Sequence, residues 1–134
     1  MDLFIDTSVW SLALRRDARS EEPAVERLRQ ALEAGEGVFT TGLVLQELLQ
    51  GFGGPKARDA IVERFGALPL LVPDRTDHVD AAELRNACRR NGVGVGSIDA
   101  LLAQLCRRHE LVMLTTDHDF ELMARHVDVR LWEP

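Results

Sequence analysis

Near its start the chain reads Leu3-Phe4-Ile5-Asp6-Thr7-Ser8. An apolar run without polar alternation is typical of a strand buried on both faces, and the polar triplet behind it supplies good helix N-cap residues. The stretch therefore predicts a strand followed directly by a helix. A similar order occurs at residues 111–117, where Leu-Val-Met-Leu precedes Thr-Thr-Asp.

The chain between these two units alternates short apolar runs with amphipathic stretches. The spacing of apolar residues and the positions of Pro and Gly predict helices over 20–35, 42–51, 55–65, 76–91, 97–109 and 120–126, with Ser97 as a cap, and further strands over 38–41, 68–72 and 129–132. Strands of this kind separated by helices predict a three-layer α/β/α sandwich with a short, mainly parallel central sheet. At 134 residues, the chain 1–134 is expected to form a single domain.

Composition narrows the protein class. The chain is 46% hydrophobic and 28% charged, which is typical of a globular protein and excludes disorder. Its apolar runs fall far short of the roughly 20 residues of a membrane span, and the first residues lack the basic segment of a signal peptide. Cys88 and Cys106 form no CxxC pair. We therefore expect two buried thiols in a reducing, cytoplasmic protein without membrane attachment.

Charge and aromatic content restrict how the protein could contact nucleic acid. The formal net charge is −6, so binding through overall positive charge is disfavoured. Aromatic residues make up 5% of the chain and tyrosine is absent, which argues against a base-stacking platform. Contact with nucleic acid would have to be local, through a metal ion and a few arginines.

Four carboxylates occur where the predicted topology can bring them together: Asp6, Glu47, Asp99 and Asp117. Each has an ordinary structural explanation. The aspartates can cap helices or complement helix dipoles, and a helical glutamate is usually solvated. Three of them, however, lie where strands lead into helices or in a helix's first turn. Parallel topology brings such positions to one edge of the sheet.

Crowded carboxylates repel one another unless a cation neutralises them. Oxygen-only ligands suit hard cations, so the sequence favours Mg²⁺, with Mn²⁺ as a substitute. A zinc site is disfavoured because the histidines form no metal-binding cluster; they are His78, His109, His118 and His126.

Four blocks of sequence, in order, resemble the PIN domain, and in particular the VapC toxins of bacterial toxin–antitoxin pairs. They are Asp6-Thr7-Ser8-Val9-Trp10, Glu47 in its leucine-rich helix, Ser97-Ile98-Asp99-Ala100-Leu101-Leu102, and Leu114-Thr115-Thr116-Asp117-His118-Asp119-Phe120. The resemblance extends over the whole chain. It implies a metal-dependent endoribonuclease that leaves 5′-phosphate and 3′-hydroxyl ends, acts as the toxin of a type II pair, and is inhibited by a cognate VapB-like antitoxin. It also implies a homodimer.

The resemblance further implies roles for individual residues. The catalytic and metal-binding set is Asp6, Glu47, Asp99 and Asp117, with Asp119 as a further metal ligand; Thr7, Ser8 and Thr116 orient carboxylates by hydrogen bonds. Three arginines can contact RNA phosphates or be solvated: Arg15, Arg16 and Arg19. The leucine-rich set Leu28, Leu32, Leu45, Leu48, Leu49 and Phe52 belongs either to the core or to an antitoxin groove.

Other functions remain open at this point. The same fold could be a catalytically silent interaction protein, or a metal-dependent phosphoesterase with a non-RNA substrate. A phosphoreceiver domain is disfavoured, because it needs a lysine near the last strand and the only lysine is Lys56. A Cys106–His109 nucleophile is disfavoured because no third group accompanies the pair.

Overall fold

A computed structural model of the chain describes residues 1–15 and 21–134. In chain order its elements are β1 (Leu3–Ile5), α1 (Thr7–Ala13), α2 (Pro23–Ala34), β2 (Val38–Thr41), α3 (Gly42–Gly51), α4 (Pro55–Gly66), β3 (Leu70–Leu71), α5 (Arg75–Arg90), α6 (Ser97–Arg108), β4 (Val112–Leu114) and α7 (His118–Ala124). Within these two ranges, no helix combines the length and apolar character needed to cross a bilayer.

The four strands form one sheet in the order β3-β2-β1-β4, and every pairing is parallel. Leu3 lies opposite Val38 on one side and Val112 on the other, so β1 is central. Helices flank this sheet, which confirms the predicted α/β sandwich.

The interior position of β1 follows from its sequence. Leu3, Phe4 and Ile5 are each 0% exposed, as expected for a strand covered on both faces. Directly after it, the backbone N–H of Asp6 donates to the carbonyl of Leu114, at 2.9 Å. The ends of β1 and β4 therefore lie side by side at one edge of the sheet.

Some element boundaries differ from those predicted. The strand predicted over 68–72 is confined to Leu70–Leu71, since Pro69 and Pro73 bracket it and lack the N–H groups that a ladder needs. The segment 129–132 contributes one parallel bridge, between Leu131 and Met113.

Two helices also begin elsewhere than predicted. Gly96 occupies the N-cap of α6, so Ser97 is its first helical residue rather than its cap. Helix α7 begins at His118, because Asp117 accepts a hydrogen bond from the N–H of Asp119 and caps it there. The predicted start of α2 near residue 20 lies outside the described residues, and α2 is described from Pro23.

Helices α5 and α6 form a tightly packed hairpin. Helix α5 begins with a capping box in which Asp74 and Asp77 each accept the other's backbone N–H, both at 2.9 Å. Arg108, at the end of α6, forms an ion pair with the buried Asp77 carboxylate. This ion pair joins the last residue of α6 to the first turn of α5.

Candidate metal centre

Five carboxylates share one electrostatic environment at the edge where β1 and β4 end. Burial, together with the charges of Asp6, Asp117, Glu47 and Asp119 in decreasing order, raises the pKa of Asp99 to about 6. The five residues come from the loops after β1 and β4, from α3, and from the first turns of α6 and α7. The topology thus assembles groups that are far apart in the chain.

Asp6 is held in one orientation by two hydroxyl groups. Its Oδ2 accepts from Ser8 Oγ at 2.8 Å and from Thr115 Oγ1 at 2.9 Å. Although Asp6 occupies the N-cap position of α1, its side chain caps no backbone N–H there. The residue is only 6% exposed. Asp6 is thus a buried carboxylate held by side-chain hydroxyls instead of by a helix cap, and its charge acts on Asp99.

Thr115 connects the two loops that carry the cluster. While its hydroxyl donates to Asp6, it also accepts from the backbone N–H of Asp117, at 3.0 Å. The sequence assigned a carboxylate-orienting hydroxyl in this turn to Thr116. The side chain of Thr116 is exposed, and its backbone N–H donates to Ser8 Oγ at 3.0 Å. The side-chain contact belongs to Thr115, which directly follows the buried strand.

Glu47, on α3, accepts a hydrogen bond from a side chain of α1. The hydroxyl of Thr7 donates to Glu47 Oε1 at 3.2 Å, and both residues are half-buried. Helix α3 keeps its register because Thr41 caps it through the N–H of Val44, at 3.1 Å. Thr7 and Ser8 therefore each donate to a carboxylate of the site, Thr7 to Glu47 and Ser8 to Asp6.

Three of the acids can contribute oxygen atoms to one cation. One carboxylate oxygen each from Asp99, Asp117 and Asp119 lies within 4.8 Å of the other two. Asp117 uses Oδ1 to accept the Asp119 N–H at 2.9 Å, which leaves its second oxygen for a ligand. All of these potential metal ligands are carboxylate oxygens. Burial and the neighbouring negative charges disfavour the ionised form of Asp99. This donor set fits a hard divalent cation.

Of the three predicted arginines, Arg15 alone belongs to the described residues. Arg15 is exposed just beyond α1. Arg16 and Arg19 lie outside the described residues.

Both cysteines are free and buried, as predicted. Burial is the main cause that raises the pKa of the Cys106 thiol, and the charge of Asp6 adds to it. A thiol held protonated at neutral pH is a poor nucleophile.

The leucine-rich set divides between core and surface. Leu28 and Leu48 are buried, and four members are half-buried and pack against the core: Leu32, Leu45, Leu49 and Phe52. The surplus apolar surface lies on α2, α3 and the residue that follows α3.

A family model, two related sequences and a solved structure are similar to this chain over most of its length. The family model described as "PIN domain" matches residues 3–126. The VapC ribonuclease Mb1587 of Mycobacterium bovis is 33% identical over 125 residues, covering 92% of each chain. Ribonuclease VapC23 of Mycobacterium tuberculosis is 30% identical over 120 residues, covering 87% of this chain and 93% of the relative. The DNA-bound VapBC structure from Salmonella typhimurium has a TM-score of 0.75 at 23% identity, covering 98% and 97% of the two chains, and is similar in fold.

Proposed function

This chain belongs to the PIN-domain family, and from that premise we propose that it is a metal-dependent endoribonuclease, the toxin of a type II toxin–antitoxin pair. The observation that carries the proposal is the convergence of four other carboxylates on Asp99. Burial and the charges of these four groups raise the pKa of Asp99 to about 6. A folded protein tolerates such repulsion when a cation relieves it. The ribonuclease names of relatives at 30% and 33% identity support the choice of RNA as substrate.

The cation in this proposal is Mg²⁺, with Mn²⁺ as a substitute. Five carboxylates would hold it: Asp6, Glu47, Asp99, Asp117 and Asp119. In support, one oxygen each from Asp99, Asp117 and Asp119 lies within 4.8 Å of the other two. When bound, such a cation supplies Lewis acidity toward water and the phosphate oxygens. Two hydroxyls donate to Asp6 Oδ2, so Oδ1 is the oxygen left for ligation.

The chain's own side chains orient the reacting groups. Glu47, positioned by Thr7, would accept a hydrogen bond from the attacking water and align it with the phosphorus. In-line attack releases the 3′ oxygen of the upstream nucleotide, which gives 5′-phosphate and 3′-hydroxyl ends. Thr115 keeps Asp6 and the Asp117 loop in register during this step.

A cognate VapB-like antitoxin and a homodimer belong to the same proposal. The half-buried leucines of α2 and α3 offer apolar surface for an amphipathic helix of the antitoxin. Co-purification of the chain with a co-expressed candidate antitoxin, followed by sedimentation of the chain alone and of the complex, tests both expectations.

The central experiment is RNA cleavage by the purified protein with Mg²⁺ or Mn²⁺ and with EDTA. We expect cleavage that EDTA abolishes and that Asp6→Asn and Asp99→Asn each eliminate while the fold is retained by circular dichroism. The matched control is Asp128→Asn, which removes an exposed carboxylate outside the cluster and should cleave normally.

The other outcomes correspond to the alternative functions. Cleavage of a generic phosphodiester but not of RNA would indicate a phosphoesterase. No cleavage of either substrate would indicate a silent interaction protein. Full RNA cleavage by folded Asp99→Asn would refute the site.

A further inference from the structure

A cavity of about 460 Å³ lies between the start of the loop after β4 and the last residues of the chain. The parallel bridge between Leu131 and Met113 extends the sheet beyond β4, and the backbone N–H of Trp132 donates to the Met113 carbonyl at 2.9 Å. Trp132 is thereby placed at the edge where β4 ends. Thr115 lines the same cavity, and its hydroxyl is the one that holds Asp6. The cavity and the cluster therefore share a residue.

The walls of this cavity combine one aromatic ring with charged groups. Trp132 is half-buried, whereas Arg125, Glu121 and Glu133 are exposed. Glu121 directs Oε2 toward His118 Nδ1, at 2.7 Å, which leaves Oε1 for another donor. A flat ring beside hydrogen-bond acceptors matches the way proteins hold a single unstacked RNA base, with stacking on the ring and polar contacts to the base edge.

The charges select the base rather than the phosphate of a nucleotide. Two glutamates and one arginine line this cavity, so a phosphate would meet a net negative charge there. Carboxylates accept hydrogen bonds from exocyclic amino groups, as in the pairing of Glu or Asp with cytosine N4. Uracil presents an acceptor at the corresponding position and would oppose them.

We propose that this cavity, bounded by Thr115, Glu121, Arg125, Trp132 and Glu133, binds one unpaired base of the substrate RNA, and that it prefers a base with an exocyclic amino group. The inference rests on the proposed ribonuclease function and adds a specificity site to it. The low aromatic content argues against an extended stacking platform, but a single base needs only one ring.

Tryptophan fluorescence reports on this site directly. The chain has two tryptophans, and the other, Trp10, is 1% exposed and packs against Phe65 with ring centroids 5.0 Å apart. Oligocytidylate and oligouridylate of equal length are titrated into the full-length protein in EDTA, so that binding is measured without cleavage. We expect oligocytidylate to quench the emission and to bind more tightly than oligouridylate.

Variants separate stacking from folding. Because these variants lack the reporting tryptophan, their affinities are measured by the fluorescence anisotropy of end-labelled oligocytidylate. Trp132→Leu should weaken binding by about 5- to 150-fold, the range for loss of one stacked base, whereas Trp132→Phe keeps a ring and most of the affinity. The Phe variant should also lose the quenching, because only the buried Trp10 then emits. Glu121→Ala combined with Glu133→Ala should erase the preference for cytosine over uracil.

Equal binding of both oligonucleotides, or unchanged affinity in Trp132→Leu, would overturn the inference. Quenching by a purified cognate antitoxin but not by RNA would do the same and would assign the cavity to the protein partner. These results are independent of cleavage: an enzyme that cleaves RNA but fails the titration loses only the base site. If the protein cleaves no RNA with Mg²⁺ or Mn²⁺, the proposed function itself fails.

Discussion

Asp99→Asn should make the metal-free protein more stable at neutral pH while removing its activity. In the folded protein, burial and then the charges of its four acidic neighbours raise the pKa of Asp99 from 3.8 to about 6. The folded state therefore binds the Asp99 proton more tightly than the unfolded chain does. Protonation of Asp99 favours folding fully below pH 3.8, and this contribution is lost as the pH rises through about 6.

The size of the effect follows from that difference. A pKa that rises from 3.8 to about 6 corresponds to about 3 kcal/mol at roughly 1.4 kcal/mol per pH unit. Because Asp99 is only half-buried, water screens part of this repulsion, and we expect about 1–2 kcal/mol. For a chain of 134 residues, that gain raises the Tm by roughly 4–7 °C.

Thermal unfolding in EDTA at pH 7.5 and below pH 4 measures this effect. The gain of Asp99→Asn over the wild type should be present at the higher pH and vanish at the lower one, where both side chains are neutral. Mn²⁺ should reverse the order at pH 7.5 by stabilising the wild type more than the variant. Asp128→Asn serves as the control with no change. An Asn variant that is less stable than the wild type at pH 7.5 in EDTA would refute the reasoning.

Three further predictions concern other parts of the molecule. Thr115→Val removes the hydroxyl that holds Asp6, so Mn²⁺ affinity measured by calorimetry should fall about 10- to 100-fold, and Thr115→Ser should restore it; unchanged affinity in the Val variant would contradict the positioning role. Arg108→Met leaves the Asp77 carboxylate, whose side chain is 1% exposed, without its cation, and should cost about 1–3 kcal/mol in urea unfolding at pH 7; an unaltered midpoint would show that the ion pair is dispensable. Both buried thiols should resist a thiol reagent at pH 8 until the protein is unfolded, so rapid labelling of the native chain would contradict their burial.

The fold was predictable from the sequence where burial is complete. The unalternating run Leu3–Ile5 has no polar residue to expose, so it specifies a central strand without further information. Element ends were less predictable, because they depend on local competition between caps. Asp117 accepts a hydrogen bond from the N–H of Asp119, so α7 begins at His118, two residues before Phe120, the first apolar residue of the helix.

The sequence indicated the acids of the candidate site and the hydroxyls of Thr7 and Ser8, but not the hydrogen bonds made by the turn after β4. Position after a strand was enough to select Asp6 and Asp117, since parallel strands end at one edge. Which of two adjacent threonines faces Asp6 depends on how the chain turns after β4, and residue types alone do not encode this. The role of Thr115 therefore emerged only from the structure.

The hydrogen bond from Thr115 to Asp6 joins residues 109 positions apart, and β1 completes its pairing only when β4 arrives. During synthesis at about 5–20 residues per second, the early part of the chain leaves the ribosome several seconds before its partner strand does. A nascent chain that has exposed Asp6 and Glu47 still lacks the loop after β4, which completes the acidic cluster. The acidic cluster is therefore complete only after nearly the whole chain has left the ribosome.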